Sequence, residues 1–267
     1  MYERLLLVLQ ESSADIGICD YQDEPVRNIQ TASVNGTDAR REFTPEEAIR
    51  NTFLNTRGFV VVWNKLYRKR ILEDLLFPIG RIFEDVYWTH LAMARATKIV
   101  YLDTMFYHYI QRSDSITQVH QQFTQVHHQF VSIDLVDAKK ARLEFSRQHF
   151  PSLEVLSFCS YLTTCSSIFV QLCTTHRDID PNGSFRRDLH QRFEQEVWYH
   201  AIWQYPLKMK VHFLLFRFFP GVLVRIAPLY IMLMLDAIFF VRISRHVLCP
   251  LFSSAHDKAR PPAVAGA

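Results

Sequence analysis

The hydrophobic rhythm of this chain changes near residue 121, and that change limits the fold more than any other feature. Ahead of it, apolar residues come in short runs bounded by polar and turn residues. Examples are ADIGICDYQ (14–22), KIVYLD (98–103) and MFYHYIQR (105–112). Beyond it, apolar residues recur at helical spacing as far as about residue 247. The breaks fall at Pro151, DPNG (180–183), Pro206, Pro220 and Pro228. Short bounded runs are written by strands and the longer period by helices. The chain is therefore α/β in its first half and all-helical in its second.

Local signals refine this reading. Residues 2–11 end a helix, 14–22 form a strand, and 23–44 are a polar loop or β-excursion. In TPEEAIRNTFL (44–54) Thr44 is an N-cap, Pro45 stands at the first helical position, and Glu47 completes a capping box. The β-branched triple in GFVVVWNKLY (58–67) predicts a buried central strand over 59–63, ending near Trp63. RKRILEDLLF predicts a short helix, Pro78 and Gly80 a turn, and 84–96 a helix. Residues 98–103 and 105–112 predict two strands.

Composition excludes several classes. The chain has seven glycines, none spaced to cradle a phosphate, which removes Rossmann and P-loop readings. Five cysteines at wide spacing form neither a disulfide framework nor a zinc site, and suit a reducing, cytoplasmic setting. The apolar core of MYERLLLVLQ is too short for a signal peptide. Residues 201–267 hold eight Lys/Arg against two Asp/Glu, although the whole chain is only +3. This basic excess lies beside the most apolar stretch. Its expected partner is an anionic membrane surface rather than nucleic acid.

Candidate chemistry gathers between residues 63 and 115. Glu84 and Asp85 open a helix, where the macrodipole favours carboxylates. They either cap that helix or supply a general base facing a cleft. Trp63, Tyr67, Tyr87, Trp88, Tyr107 and Tyr109 are core aromatics or a platform for a sugar ring. Arg112 is a solvated loop charge or a phosphate clamp. Asp178 and Asp180, in RDIDPNG, have metal-ligand spacing but read as a turn, and His120, His127 and His128 lack an acid at ligand spacing. The sequence thus names no metal ligand.

Three segments, VWNKLYRKRILED (62–74), FPIGRIFEDVYWTHLAMARATKIVYLD (77–103) and YHYIQRSDSIT (107–117), resemble the second half of a family 2 glycosyltransferase. That family has WNKLY, then F.EG..FEDv, then Y.YR.R..SI, in this order and at about this spacing. YERLLLVLQESSADIGICDY also resembles the helix and strand after the family's aspartate-rich site. The resemblance spans roughly residues 1–120. It implies part of a GT-A sheet with flanking helices, followed by an all-helical C-terminal region. It also implies a nucleotide-sugar donor, a polysaccharide or lipid-linked glycan acceptor, an inverting reaction, and a divalent cation (Mn or Mg) in the complete enzyme. Asp85 would be the base and Glu84 would steer the acceptor or hold the loop. Arg112, with Gln111, Ser115 and Ile116, would match the mobile loop near the leaving diphosphate. Trp63, Asn64 and Lys65 match the family's WNK motif on the cleft side.

Two departures set further expectations. The family's nucleotide-binding half and aspartate-rich motif have no counterpart in the 267 residues. These residues alone are then expected neither to bind a nucleotide sugar tightly nor to turn it over. Asp85 is expected to face an open half-cleft with no second acidic site opposite. The family's EG reads Ile79-Gly80 here and its YR reads Tyr109-Ile110. The expected organisation is 1–120 partial catalytic domain, 121–205 helical extension, 206–250 amphipathic helices, and 251–267 disordered tail. In 208–247 the longest charge-free run, Ile226 to Leu235, is too short to span a bilayer. An interfacial pair of helices at the cytoplasmic membrane face is preferred over a spanning hairpin or burial. The alternative to an enzyme is a non-catalytic, membrane-peripheral interaction protein.

Overall fold

A computed structural model of the chain describes residues 1–25, 39–111, 132–199 and 207–226. Residues 1–217 form one compact unit and 218–267 a second, whose described part contains a helix over 220–226. The boundaries expected at 120/121 and 205/206, and the tail from 251, fall outside the described residues.

Helix α1 (Tyr2–Ser12) leads into strand β1 (Ile16–Pro25) through Ser13, whose φ of 53° turns the chain sharply. Strand β2 (Arg40–Phe43) and helix α2 (Pro45–Phe53) follow, and the Thr44–Glu47 capping box is formed as expected. Next come β3 (Lys65–Tyr67), α3 (Glu84–Ala94) and β4 (Ile99–Gln111). The four strands order as β2-β4-β1-β3. The central pair β1–β4 is parallel and both edge pairs are antiparallel.

Period-two alternation assigns the two faces. Ile16, Ile18, Ile99 and Tyr101 meet Ile49, Phe53 and Phe59 together with Met93. Cys19, Val100 and Leu102 meet Leu5, Val8 and Leu9 of α1. Gly17 lets α1 lie close: a Cβ there would stand 3.3 Å from a Leu5 methyl. A mixed sheet flanked by helices and continued by a helical region is the α/β architecture read from the sequence.

Three local expectations are corrected. Residues 59–63 are not a central strand; the strand begins at Lys65 and lies at the sheet edge. Side chains occupy the carbonyls a strand would pair. Asn64 and Lys65 donate to Gly58 O, Thr89 donates to Val60 O at 2.6 Å, and Lys65 donates to Val61 O. Residues 68–77 give one 3-10 turn at Lys69–Ile71 rather than a helix, because Arg95 takes the carbonyls of Ile71 and Glu73. The two strands expected over 98–112 are one strand, with register shifts opposite Cys19, Asp20 and Tyr21.

The helical region contains α4 (Ile133–His149), α5 (Glu154–Cys173), α6 (Ser184–Tyr199) and α7 (Leu207–Phe218). Residues Pro151–Cys173 are long and apolar enough to cross a membrane, but half of that stretch is buried in the protein. Arg147 joins Glu154 at 3.0 Å and Glu196 at 2.9 Å, tying α4 to α5 and α6.

Candidate functional site

Phe83, with φ 60° and ψ 36°, turns the chain immediately before α3. Glu84 is exposed and Asp85 is half-buried. Asp85 Oδ1 accepts the N–H of Val86 at 2.7 Å, a contact that holds the carboxylate inside the first turn. The loop before it is anchored from α4. Asp134 accepts from Arg81 at 2.6 Å and from the Ile82 amide at 3.1 Å, while Asp137 also meets Arg81.

The surroundings of Asp85 are cationic. Lys65, Lys139 and Arg142 are all buried, and the carboxylate's charge acts on each of them. Burial pushes the Asp85 pKa up and the neighbouring Glu84 adds to this. The Val86 N–H, Arg142 and Lys65 act in the opposite direction. Burial pulls Lys65 and Lys139 each down to about 7 and Arg142 down to about 10. His90 is held well below the usual histidine range, first by burial and then by Arg142, so its ring is neutral. The carboxylate is half-buried against cations rather than open to solvent as expected.

The WNK residues divide into two roles here. Trp63 is half-buried and stacks on Tyr107 at 4.3 Å and Tyr109 at 5.3 Å, with Tyr21 edge-on at 4.8 Å. Asn64 and Lys65 point inward. The Asn64 amide donates to Cys19 O at 2.6 Å and to Gly58 O at 3.1 Å. The Lys65 ammonium meets Gly58 O at 2.6 Å, Asn64 Oδ1 at 2.9 Å and Val61 O. Both residues shape the 58–64 loop and lock it to β1. Arg112 and Ser115 lie outside the described residues, as do His120, His127 and His128.

Beside the rings is a shallow depression lined by Tyr21, Asn55, Arg57, Gly58, Val60 and Val61. Arg57 stacks over the Tyr21 ring at 4.0 Å and pairs with Asp20 and Asp23. The sequence reading did not single out Tyr21, Arg57, Lys139 or Arg142. For the last two a signal existed. They share the buried stripe of Val136, Leu143 and Ser146 on α4, where apolar residues would be expected.

The donors among the described residues do not fit a divalent cation. Asp85 faces cations rather than further oxygens, and no group of three His, Cys, Asp or Glu among the described residues could hold a metal ion. Asp180, one of the two spaced aspartates, accepts from the backbone of Phe185 and Arg186 and pairs with the Arg186 side chain, as its reading as a turn residue expects.

No family model matches the chain. It is 35% identical over 62 residues to Glycosyltransferase GlyA of Streptococcus pneumoniae serotype 4, covering 23% of this chain and 9% of that protein. It is 25% identical over 130 residues to the uncharacterized glycosyltransferase YibD of Escherichia coli K12, covering 46% of this chain and 37% of that protein. The chain thus spans well under half the length of either relative, and both similarities point to a relationship with glycosyltransferases.

Proposed function

We propose that this chain provides the acceptor side of an inverting glycosyltransferase of GT-A type, with Asp85 as its base. The acceptor hydroxyl oxygen forms a bond to the anomeric carbon of a nucleotide sugar. The bond from that carbon to the diphosphate breaks, and the hydroxyl proton passes to Asp85. The observation that carries the reading is a half-buried carboxylate whose proton affinity is raised by burial, fixed in the first turn of a helix. Such an acid takes a proton more readily than an exposed one. Glu84, exposed beside it, would steer the acceptor, and the Trp63, Tyr107 and Tyr109 rings offer a face for a sugar. Arg112 and Ser115 would meet the leaving diphosphate. A divalent cation, expected from the resemblance, would neutralise that diphosphate; the described residues offer no group of three His, Cys, Asp or Glu to bind it.

The acceptor is a polysaccharide or lipid-linked glycan at the cytoplasmic membrane face. This part of the reading is supported by α7. Its His212, Phe213 and Phe216 are buried, while Leu207, Val211 and Leu214 are exposed on the opposite side. Lys208, Lys210 and Arg217 flank that exposed stripe at roughly 100° per residue, and residues 207–226 contain no acid. The same stripe would serve the alternative, a non-catalytic membrane-peripheral protein. The remainder of the expected amphipathic segment, from residue 227 on, lies outside the described residues.

The test is sugar transfer by a protein in which a nucleotide-binding half precedes Met1. Asp85→Asn should lower turnover by about two orders of magnitude or more with donor binding nearly intact. Wild-type turnover in that variant would remove Asp85 from the role. Calorimetry on the 267 residues with nucleotide sugars and manganese should show no tight binding. Flotation with acidic vesicles should weaken when Leu207, Val211 and Leu214 are replaced by serine.

A further inference from the structure

We infer that Lys139 and Arg142, on α4 in the all-helical part of the chain, are positioning residues for Asp85: Arg142 locks the turn that carries the carboxylate, and both cations help set the field in which it exchanges its proton. The inference rests on the reading of Asp85 as the base.

The geometry runs through Val86. Its N–H donates to Asp85 Oδ1 at 2.7 Å, and its carbonyl accepts from Arg142 Nε at 2.8 Å. Arg142 Nη1 donates to Thr52 O at 3.1 Å in the last turn of α2. One guanidinium therefore pins the first turn of α3 to the end of α2. Its third nitrogen, Nη2, is buried with no hydrogen-bond partner among the described residues. Lys139 lies one turn earlier on α4, with Nζ 3.4 Å from Asn55 Oδ1. Arg142 is 1% exposed and Lys139 5%, and among the described residues neither forms an ion pair.

Buried cations without a paired carboxylate are costly, and an apolar side chain would fill this stripe more cheaply. Two at one site therefore call for a reason beyond packing. The charge they both face is Asp85, whose ionised form raises the pKa of each. The other titratable groups around the acid are Glu84 and His90 on α3 and Lys65 at the start of β3. His90 is neutral, Lys65 adds to the field from β3, and Lys139 and Arg142 supply the part that comes from α4. Burial raises the acid's pKa; Arg142 and Lys65 limit the rise, and Lys139, whose own pKa Asp85 raises, acts in the same sense. The carboxylate can then stay ionised before transfer and still accept a proton during it.

The test needs no sugar. The full chain is labelled at the aspartate carboxyl carbon, the Asp85 signal is assigned with Asp85→Asn, and its titration is followed by NMR. Carboxylates titrate at acid pH, where both cations are protonated. Arg142→Met should move the Asp85 midpoint up by about one pH unit, and Lys139→Met should move it up by less. Arg142→Lys keeps the charge and should shift it less, while exchange of the Val86 amide accelerates. If the Arg142 variants do not fold, Lys139→Met still decides, since its Nζ makes one long contact. A folded Lys139→Met chain with an unmoved Asp85 midpoint overturns the inference. That result would leave the role of Asp85 in transfer to be judged by turnover alone.

Discussion

Two aspartates stand near opposite ends of β3, and their surroundings are opposites. Asp15, next to Arg68, accepts from the Thr97 amide at 2.7 Å and hydroxyl at 2.8 Å, and from Arg70 at 2.7 Å. Burial alone would push its pKa up. The Thr97 donors and Arg70 outweigh that and hold it below the usual carboxylate range. Asp85, on the Lys65 side, has one short contact to its own neighbour's amide and three cations beyond ion-pair distance, and its pKa is raised. A carboxylate with its lone pairs filled fastens elements together. One held near charges but left incompletely bonded stores proton affinity. On the proposed reading of Asp85 as the base, that difference separates a structural acid from a chemical one.

The largest expected effect is at the fastened end. Asp15→Ala leaves Thr97 and two arginines without their acceptor and should cost about 3 kcal/mol, read as a lower urea midpoint. A cost below about 0.5 kcal/mol would erase the contrast. At the other end Asn64→Leu removes the amide joining the 58–64 loop to β1, and should cost about 2 kcal/mol. Near-neutral stability there would mean that the loop is held by Lys65 alone.

Smaller effects follow from proton linkage. Lys139 has a folded pKa of about 7 against 10.5 when unfolded, so between those values the unfolded chain binds the extra proton. Stability should rise with pH across that window, and Lys139→Met should flatten part of the rise in thermal melts. Asp85 has the opposite sign. Its folded pKa lies above 3.8, so its ionisation at neutral pH opposes folding. Asp85→Asn should therefore melt slightly higher than wild type at pH 7, the gain fading as pH falls through the raised folded pKa and gone below 3.8. A lower melting temperature at pH 7 would place Asp85 with Asp15 among the fastening acids.

The sequence was most legible where the controlling contacts are local. The Thr44–Glu47 box closes within four residues, and the alternation in β1 and β4 survives because both faces of the sheet are covered. It was least legible where distant side chains decide. VVVW has strand propensity, but its loop carbonyls are taken by Lys65 and Thr89. RKRILED has helical composition, yet Arg95 takes two of its carbonyls. Glu84 and Asp85 were visible as a pair at a helix start. Nothing near them in the chain announced that α4, beginning at Ile133, would furnish the cations behind them. Only charge on a buried helical stripe hinted at it.

The parallel pairing of Ile16 with Ile99 has a consequence for synthesis on the ribosome. β1 is made well before its central partner β4, so β2, α2, β3 and α3 must all emerge before the middle of the sheet can close. At a translation rate of about 5–20 residues per second, β1 waits roughly 5–20 seconds with an open edge. Throughout that interval α1 can shield only one of its faces. The nascent chain should therefore depend on chaperone shelter until β4 is out, and a slow stretch of codons far enough after Gln111 for β4 to have left the ribosome would help it more than one placed earlier.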